Sequence, residues 1–355
     1  MADVLTKTDS LTTLDQVIAE YFERSIHDAS QIDASYRQLW ETLYTLIRSG
    51  GKRLRPQMTL MAYEAFGGTT NNDIVRVAAA QELLHFSLLI HDDVIDRDYT
   101  RYGTLNVAGH YRDLYAKFLP DESDRLHFAH SAAILAGDLM LSGAHHLISS
   151  SNLSESQKST AEQLLSLSIF EVAGGELLDT ELSFVPYNDG DAIKIARYKT
   201  AGYSFMIPLL TGAKLAGADE HQAELLRNFA TSLGVAYQLV DDLLGTFGEE
   251  ETTGKSTTSD IIEGKRTYMV EQALAAMTVL EKDRFESLFG NQNATLDQVE
   301  DVKQMLVSTG AKSKTEHTIR EYADVAESSL KQLNLDENED QKFASLIRKV
   351  TERAY

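Results

Sequence analysis

Apolar residues recur along this chain at spacings of three and four, as they do on helices that pack by one face, and no stretch alternates as a half-buried strand would. The pattern predicts a first amphipathic helix from about Leu11 to Ile26. Tyr36, Leu39, Trp40, Leu43, Leu46 and Ile47 predict a second, which stops at Gly50-Gly51. Pro56 suits the first turn of a third helix, closing at Gly67-Gly68. From about Asp73 to Arg97 the apolar residues lie all round the predicted helix, so it should be central and buried. Pro120 to Asp124 reads as a loop. Helices follow from about Arg125 to Ile148 and from Glu155 to Leu182, with a turn from Val185 to Gly190. The spacing resumes from about Asp191 to Leu215, where Pro208 should kink or end a helix, and again from about Glu220 to Phe247. Gly248 to Arg266 is polar and Gly-containing, and reads as an ordered loop over a site. Thr267 to Tyr355 reads as four shorter helices with charged faces. The expectation is an all-α protein forming one domain over residues 1–355, with a motif-bearing core from about 36 to 270 and C-terminal helices beyond.

Composition narrows this. The chain holds only 4 Pro, in keeping with long helices, and 0 Cys, which excludes disulfides, zinc-thiolate sites and a cysteine nucleophile. A formal net charge of −21 argues against non-specific nucleic-acid binding, which depends on Lys and Arg neutralising phosphates, and makes any local basic cluster more informative. The first ten residues lack the basic and apolar regions of a signal peptide, and no run of about 18 uncharged apolar residues predicts a membrane span. A cytoplasmic protein is expected.

The central helix ends in Asp92, Asp93, Asp96 and Asp98. Asp92 and Asp96 stand one turn apart, so they share a face and repel. The helix macrodipole disfavours negative charge there as well. Tolerating both penalties points to a cation, and one or two carboxylates completed by substrate phosphates suit magnesium. A second apolar run carries Asp241-Asp242, and two such sites could hold several divalent ions between helices. Basic residues accompany each pair. Gly50-Gly-Lys-Arg-Leu-Arg-Pro56 leads into a helix N-terminus, a natural anion site, with Lys52 and Arg55 as ligands. Gly254-Lys255 and Glu263-Gly-Lys265-Arg-Thr267 follow the second pair, and Lys199-Thr200 lies in an apolar surround. Magnesium with Lys and Arg suggests a phosphate-bearing substrate. The P-loop pattern is absent, so this is not a P-loop nucleotide enzyme.

In order, Gly-Gly-Lys-Arg-Leu-Arg-Pro, Glu82-Leu-Leu-His85, Asp92-Asp-Val-Ile-Asp96 with Arg101 and Gly103, Ala136-Gly-Asp138, Lys199-Thr200, Tyr237-Gln-Leu-Val-Asp-Asp242 and Glu263-Gly-Lys-Arg-Thr267 resemble the trans-type polyprenyl diphosphate synthases, geranylgeranyl-type members in particular. The resemblance spans Gly50 to Thr267 and implies an antiparallel helical bundle around a deep central cavity, commonly as a homodimer. It implies Asp92, Asp96 and Asp241 as magnesium ligands, with Asp93 and Asp242 supporting and three ions per active site. Arg101, Lys199, Thr200, Gln238, Lys255 and Lys265 would hold an allylic diphosphate. Lys52, Arg55 and His85 would hold isopentenyl diphosphate, which the enzyme condenses with it to a trans-polyprenyl diphosphate.

Four positions depart from the family pattern: Tyr102 replaces an arginine that would contact isopentenyl diphosphate, Glu176 stands where a glutamine is usual, Gly245 replaces the last aspartate of the second motif, and Thr258 replaces a glycine. A phenol cannot supply the charge-assisted fork of arginine. Product length should depend on Ser87, five before Asp92, and on Leu88. A small Ser87 disfavours a short stop and favours a geranylgeranyl or longer product. The rivals are a longer-chain synthase, an accessory subunit of a heteromeric synthase, and a terpene cyclase, whose second metal motif this chain lacks.

Overall fold

The computed structural model describes residues 8–101, 103–182, 184–185, 190–248 and 257–352, with backbone alone for residues 8–12. Tyr102, Lys255 and most of the expected 185–190 turn lie outside the described residues. Among the described residues the chain is all-α apart from one small hairpin, and it divides into two compact units, one of residues 1–165 and 211–217, the other of residues 166–210 and 218–355.

The first unit is assembled on α4 (Asn72–Ile95). Asn71 starts it by accepting from the backbone N–H of Asp73 and Ile74. As its all-round apolar pattern predicts, α4 is packed on several sides: by α1 (Thr8–Ser30), α3 (Leu54–Ala65), α5 (Val107–Leu114) and, along most of its length, α6 (Glu122–Ser149). Val77, Ala78, Ala80, Leu83 and Leu84 of α4 and Ala133, Ala136, Met140 and Ala144 of α6 are all sealed from solvent. The small residues let the axes approach, and two glycines bring contacts closer still. A methyl group at Gly137 would sit 2.1 Å from His91 Nε2, and one at Gly143 would sit 2.2 Å from Tyr21 Oη. Each fully buried Leu or Met contributes about 1.5–3 kcal/mol here. The helix α2 (Ala34–Arg48) packs on α1 and α6. By composition α4 could cross a membrane, with a mean hydropathy of 1.2 over 18 residues, but 67% of that window is buried in protein. It is a core helix. Beyond it, β1 (Thr100–Arg101) pairs antiparallel with β2 (Thr104–Leu105), a hairpin too short to show as alternation in the sequence.

In the second unit α10 (Glu220–Phe247) is central, started by an Asp219–Gln222 capping box. It packs against α15 (Ala311–Leu333) and against a segment of wide π-type turns, Ala196–Met206, that lies between α8 (Asp191–Ile195) and α9 (Ile207–Ala216). Phe229 of α10 meets Phe343 of α16 (Glu337–Thr351), ring centres 5.4 Å apart. The expected interruption at Pro208 takes this form: the wide turns run up to the start of α9, whose second residue has no N–H to return to the preceding turn. As the spacing predicts, α10 runs past the aspartate pair 241–242, and buried Leu243 and Thr246 carry its packed face on to Phe247. One further expectation is corrected. The C-terminal region holds five described helices rather than four: α12 (Tyr268–Ala276), α13 (Val279–Leu288), α14 (Leu296–Ser308), α15 and α16. The additional break falls at Met277-Thr278, where Thr278 caps α13 through a capping box with Glu281.

Candidate active site

At the end of α4, Asp92 lies in the last turn and Asp96 is the C-cap residue. Arg101, which the hairpin folds back onto the helix end, offsets the negative charge of Asp92 and Asp93. Its Nη2 lies 2.6 Å from Asp93 Oδ1 and 3.4 Å from Asp92 Oδ2, and its Nε donates to Asp93 Oδ1 at 2.9 Å. Asn106 fixes the hairpin's return: its Nδ2 donates to Asp98 O at 2.8 Å and its Oδ1 accepts from Gly109 N at 2.8 Å. Burial pushes the Asp93 carboxyl up to about 6, against the stabilising Arg101. Asp93 is thus tied inward, while Asp92 and the exposed Asp96 face outward.

The Gly50–Arg55 loop reaches the same helix about three turns earlier, at Glu82. Arg53 adopts a left-handed conformation (φ 49°), rare for a residue with a side chain, and its guanidinium donates to Glu82 Oε1 at 2.8 Å and Ile47 O at 2.8 Å. Glu82 is 4% exposed, and it stands one turn before His85 on the same face of α4. Arg53 and Glu82 went unassigned in the sequence, although an acid inside an almost wholly apolar helix was the signal for a buried partner. They line a pocket with His85, Phe86, Asp93, Arg101 and Asn106, holding about 650 Å³ of empty space with its open mouth included. Burial, and then Arg55, Arg101 and Arg53, hold the His85 imidazole well below its usual range. His85 and Arg101 line one pocket, and His85 offers a hydrogen bond rather than a charge. Lys52 is exposed in the same loop as Arg53. Ser87 is buried, its Oγ donating to Gly137 O on α6 at 2.8 Å, whereas half-buried Leu88 stands one turn before Asp92 on its own face.

One consequence is a pH-dependent stability. Below about pH 6.5 the unfolded chain protonates this imidazole and native His85 does not, so stability should rise with pH through that window, by at most about 1.4 kcal/mol per unit, and level off above it. His85→Gln should flatten this part of a melting-temperature profile between pH 5 and 7.

In the second unit, the π-type turns present Lys199 and Thr200. Lys199 Nζ lies 2.5 Å from Asp179 Oδ2 and 2.9 Å from Glu176 Oε2, both on α7 (Glu155–Glu181). Thr200 Oγ1 donates to Gln238 Oε1 at 2.6 Å, Gln238 Nε2 donates to Asp242 Oδ1 at 2.9 Å, and Lys265 Nζ lies 3.3 Å from the same oxygen. This chain joins four of the sequence-predicted residues. Asp242 holds the Lys265 ammonium protonated, while burial pushes the Asp242 carboxyl up against the pull of Lys265 and Gln238. Asp241, at the neighbouring position of α10, is less buried than Asp242. Gly245 has a packing reason: a methyl there would lie 2.3 Å from Asp260 Oδ2 on α11 (Ser259–Glu263).

Among the described residues, no three carboxylate, imidazole or thiol groups gather into a protein-only metal site. This donor set fits magnesium, which takes one or two carboxylates and completes its octahedron with substrate oxygens and water.

An all-helical chain with paired aspartates, each pair laced to a basic side chain, has the make-up of an enzyme acting on diphosphates. The family model for polyprenyl synthetase matches residues 37–306, and the chain belongs to that family. It is similar to a geranylgeranyl diphosphate synthase of Sulfolobus acidocaldarius, 32% identical over 79% of this chain and 81% of that one. A geranylfarnesyl diphosphate synthase of Aeropyrum pernix is 28% identical over 85% of this chain and 90% of the relative. Among solved structures, the geranylgeranyl pyrophosphate synthase of Corynebacterium glutamicum, complexed with isoprenyl diphosphate and magnesium, superposes with a TM-score of 0.88 at 28% identity, covering 97% of this chain and 98% of that one. The chain is a prenyltransferase of the isoprenyl diphosphate synthase class.

Proposed function

We propose that this enzyme condenses isopentenyl diphosphate head-to-tail with an allylic diphosphate to give geranylgeranyl diphosphate. The observation that carries the reading is the pairing of acid and base in each unit, Arg101 on Asp92 and Asp93, and Lys265 on Asp242. Such pairs offer carboxylates to magnesium and ammonium or guanidinium groups to diphosphate. Asp92, Asp96 and Asp241 would hold magnesium, three ions in all. Bound there, magnesium neutralises the leaving diphosphate so that the allylic C–O bond can ionise.

Arg101, Lys199, Thr200, Gln238 and Lys265, with Lys255, would orient the allylic diphosphate and stabilise charge developing on its oxygens. Lys52, Arg55 and neutral His85 would fix isopentenyl diphosphate so that its double bond attacks the allylic cation. The apolar surfaces around the reacting carbons exclude water from that cation. Loss of a proton to the departing diphosphate then restores an allylic diphosphate, so no protein base is required. Arg53 and Glu82 set the distance between the Lys52–Arg55 loop and His85.

The small Ser87 and the relatives' names favour a geranylgeranyl product. Leu88→Phe and Ser87→Phe should each shorten the product by at least one isoprene unit, read by mass spectrometry. Ser87→Phe should also lower the melting temperature, since the ring must displace the Gly137 contact. Unchanged product profiles in both variants would place the chain-length floor elsewhere. We also infer a cytoplasmic homodimer, for which Ile134 and Leu135, 47% and 59% exposed on α6, supply apolar surface.

A further inference from the structure

We propose that Glu176 and Asp179 are positioning residues for Lys199, and that the charge of Glu176 weakens the enzyme's hold on its allylic diphosphate. This rests on the assignment of Lys199 to that diphosphate. Glu176 and Asp179 are one turn apart and share a face of α7. They take Lys199 Nζ between them at 2.9 and 2.5 Å, all three side chains partly buried, at 18%, 32% and 26% exposure. The backbones are in contact at the same point. Gly175 has no Cβ, and one placed there would lie 2.3 Å from Lys199 N and 2.7 Å from Tyr198 C.

The arrangement therefore fixes Lys199 twice, by backbone contact and by paired carboxylates. Among the described residues it also sets two carboxylates against the one ammonium. A diphosphate oxygen reaching Nζ comes up against both carboxylates, and repulsion at such distances in a partly buried site is not screened as in bulk water. One carboxylate is enough to aim the ammonium, and the closer Asp179 does so. The charge of Glu176 is then a brake on primer affinity, in a chain where Lys199 would otherwise bind anions more strongly.

The test is Glu176→Gln, which keeps shape and hydrogen bonding and removes only the charge. The expected result is a fall of about two- to fivefold in the KM for the allylic diphosphate, the size of one partly exposed ion pair, with the KM for isopentenyl diphosphate unchanged. Calorimetric titration with inorganic diphosphate and magnesium should show tighter binding by the same factor. Glu176→Asp, which retains the charge, should stay within about twofold of the parent in both assays. An unchanged or weakened diphosphate affinity in Glu176→Gln overturns the proposal, and so does an equal change in both KM values, which would mean a general rearrangement. If the parent condenses nothing, the assignment of activity fails, while the inorganic diphosphate titration still decides the role of Glu176.

Discussion

Asp92→Ala should reduce condensation by on the order of a thousandfold or more while leaving the helical circular dichroism unchanged. The two halves of this expectation have separate physical origins. Loss of activity follows from the position of Asp92 in the last turn of α4, beside Arg101 and one turn from Asp96, where it is the carboxylate best placed to share magnesium with substrate. Retention of fold follows from what the side chain does otherwise. It is 26% exposed, its contact to Arg101 is the long one at 3.4 Å, and Arg101 keeps Asp93 at 2.6 Å. Alanine favours a helix more than aspartate does, and removing a negative charge from a helix C-terminus relieves the macrodipole. The melting temperature should hold or rise slightly. Near-normal turnover would remove Asp92 from the chemistry.

Adjacent glycines on α7 should respond in opposite directions. At Gly174 nothing lies within 4 Å of an added methyl, so Gly174→Ala should stabilise by up to about 1 kcal/mol, the helix-propensity difference in an interior turn. At Gly175 the methyl would meet three backbone atoms, Lys199 N, Tyr198 C and Lys199 Cα, at 2.3, 2.7 and 2.8 Å. None of these can swing aside as a flexible side chain would. Gly175→Ala should therefore destabilise by about 1–3 kcal/mol and displace Lys199, raising the KM for the allylic diphosphate. Thermal melts of the two variants beside the parent, with a kinetic assay on the second, check both signs.

What the sequence made legible was what local chemistry dictates. The all-round apolar pattern of α4, the glycine stops and the acidic helix end can each be read from a few neighbouring residues, and they placed Asp92 and Asp96 at the end of a buried helix, as the structure has them. Long-range partnerships were not legible. The cation implied by the repelling aspartates was sought in a metal, yet a hairpin too short for periodicity also brings Arg101 onto them. The buried Arg53–Glu82 pair joins residues 29 apart, and Lys199 finds its acids 20 and more residues away on α7. Gly245, read as a lost ligand, is also the space that Asp260 needs.

The central claim is tested most directly by incubating the purified protein with isopentenyl diphosphate, magnesium and, in turn, dimethylallyl, geranyl and farnesyl diphosphate, then measuring product chain length by mass spectrometry. The expected result is magnesium-dependent extension that accumulates geranylgeranyl diphosphate. Failure to extend any of the three primers with magnesium present would contradict the account.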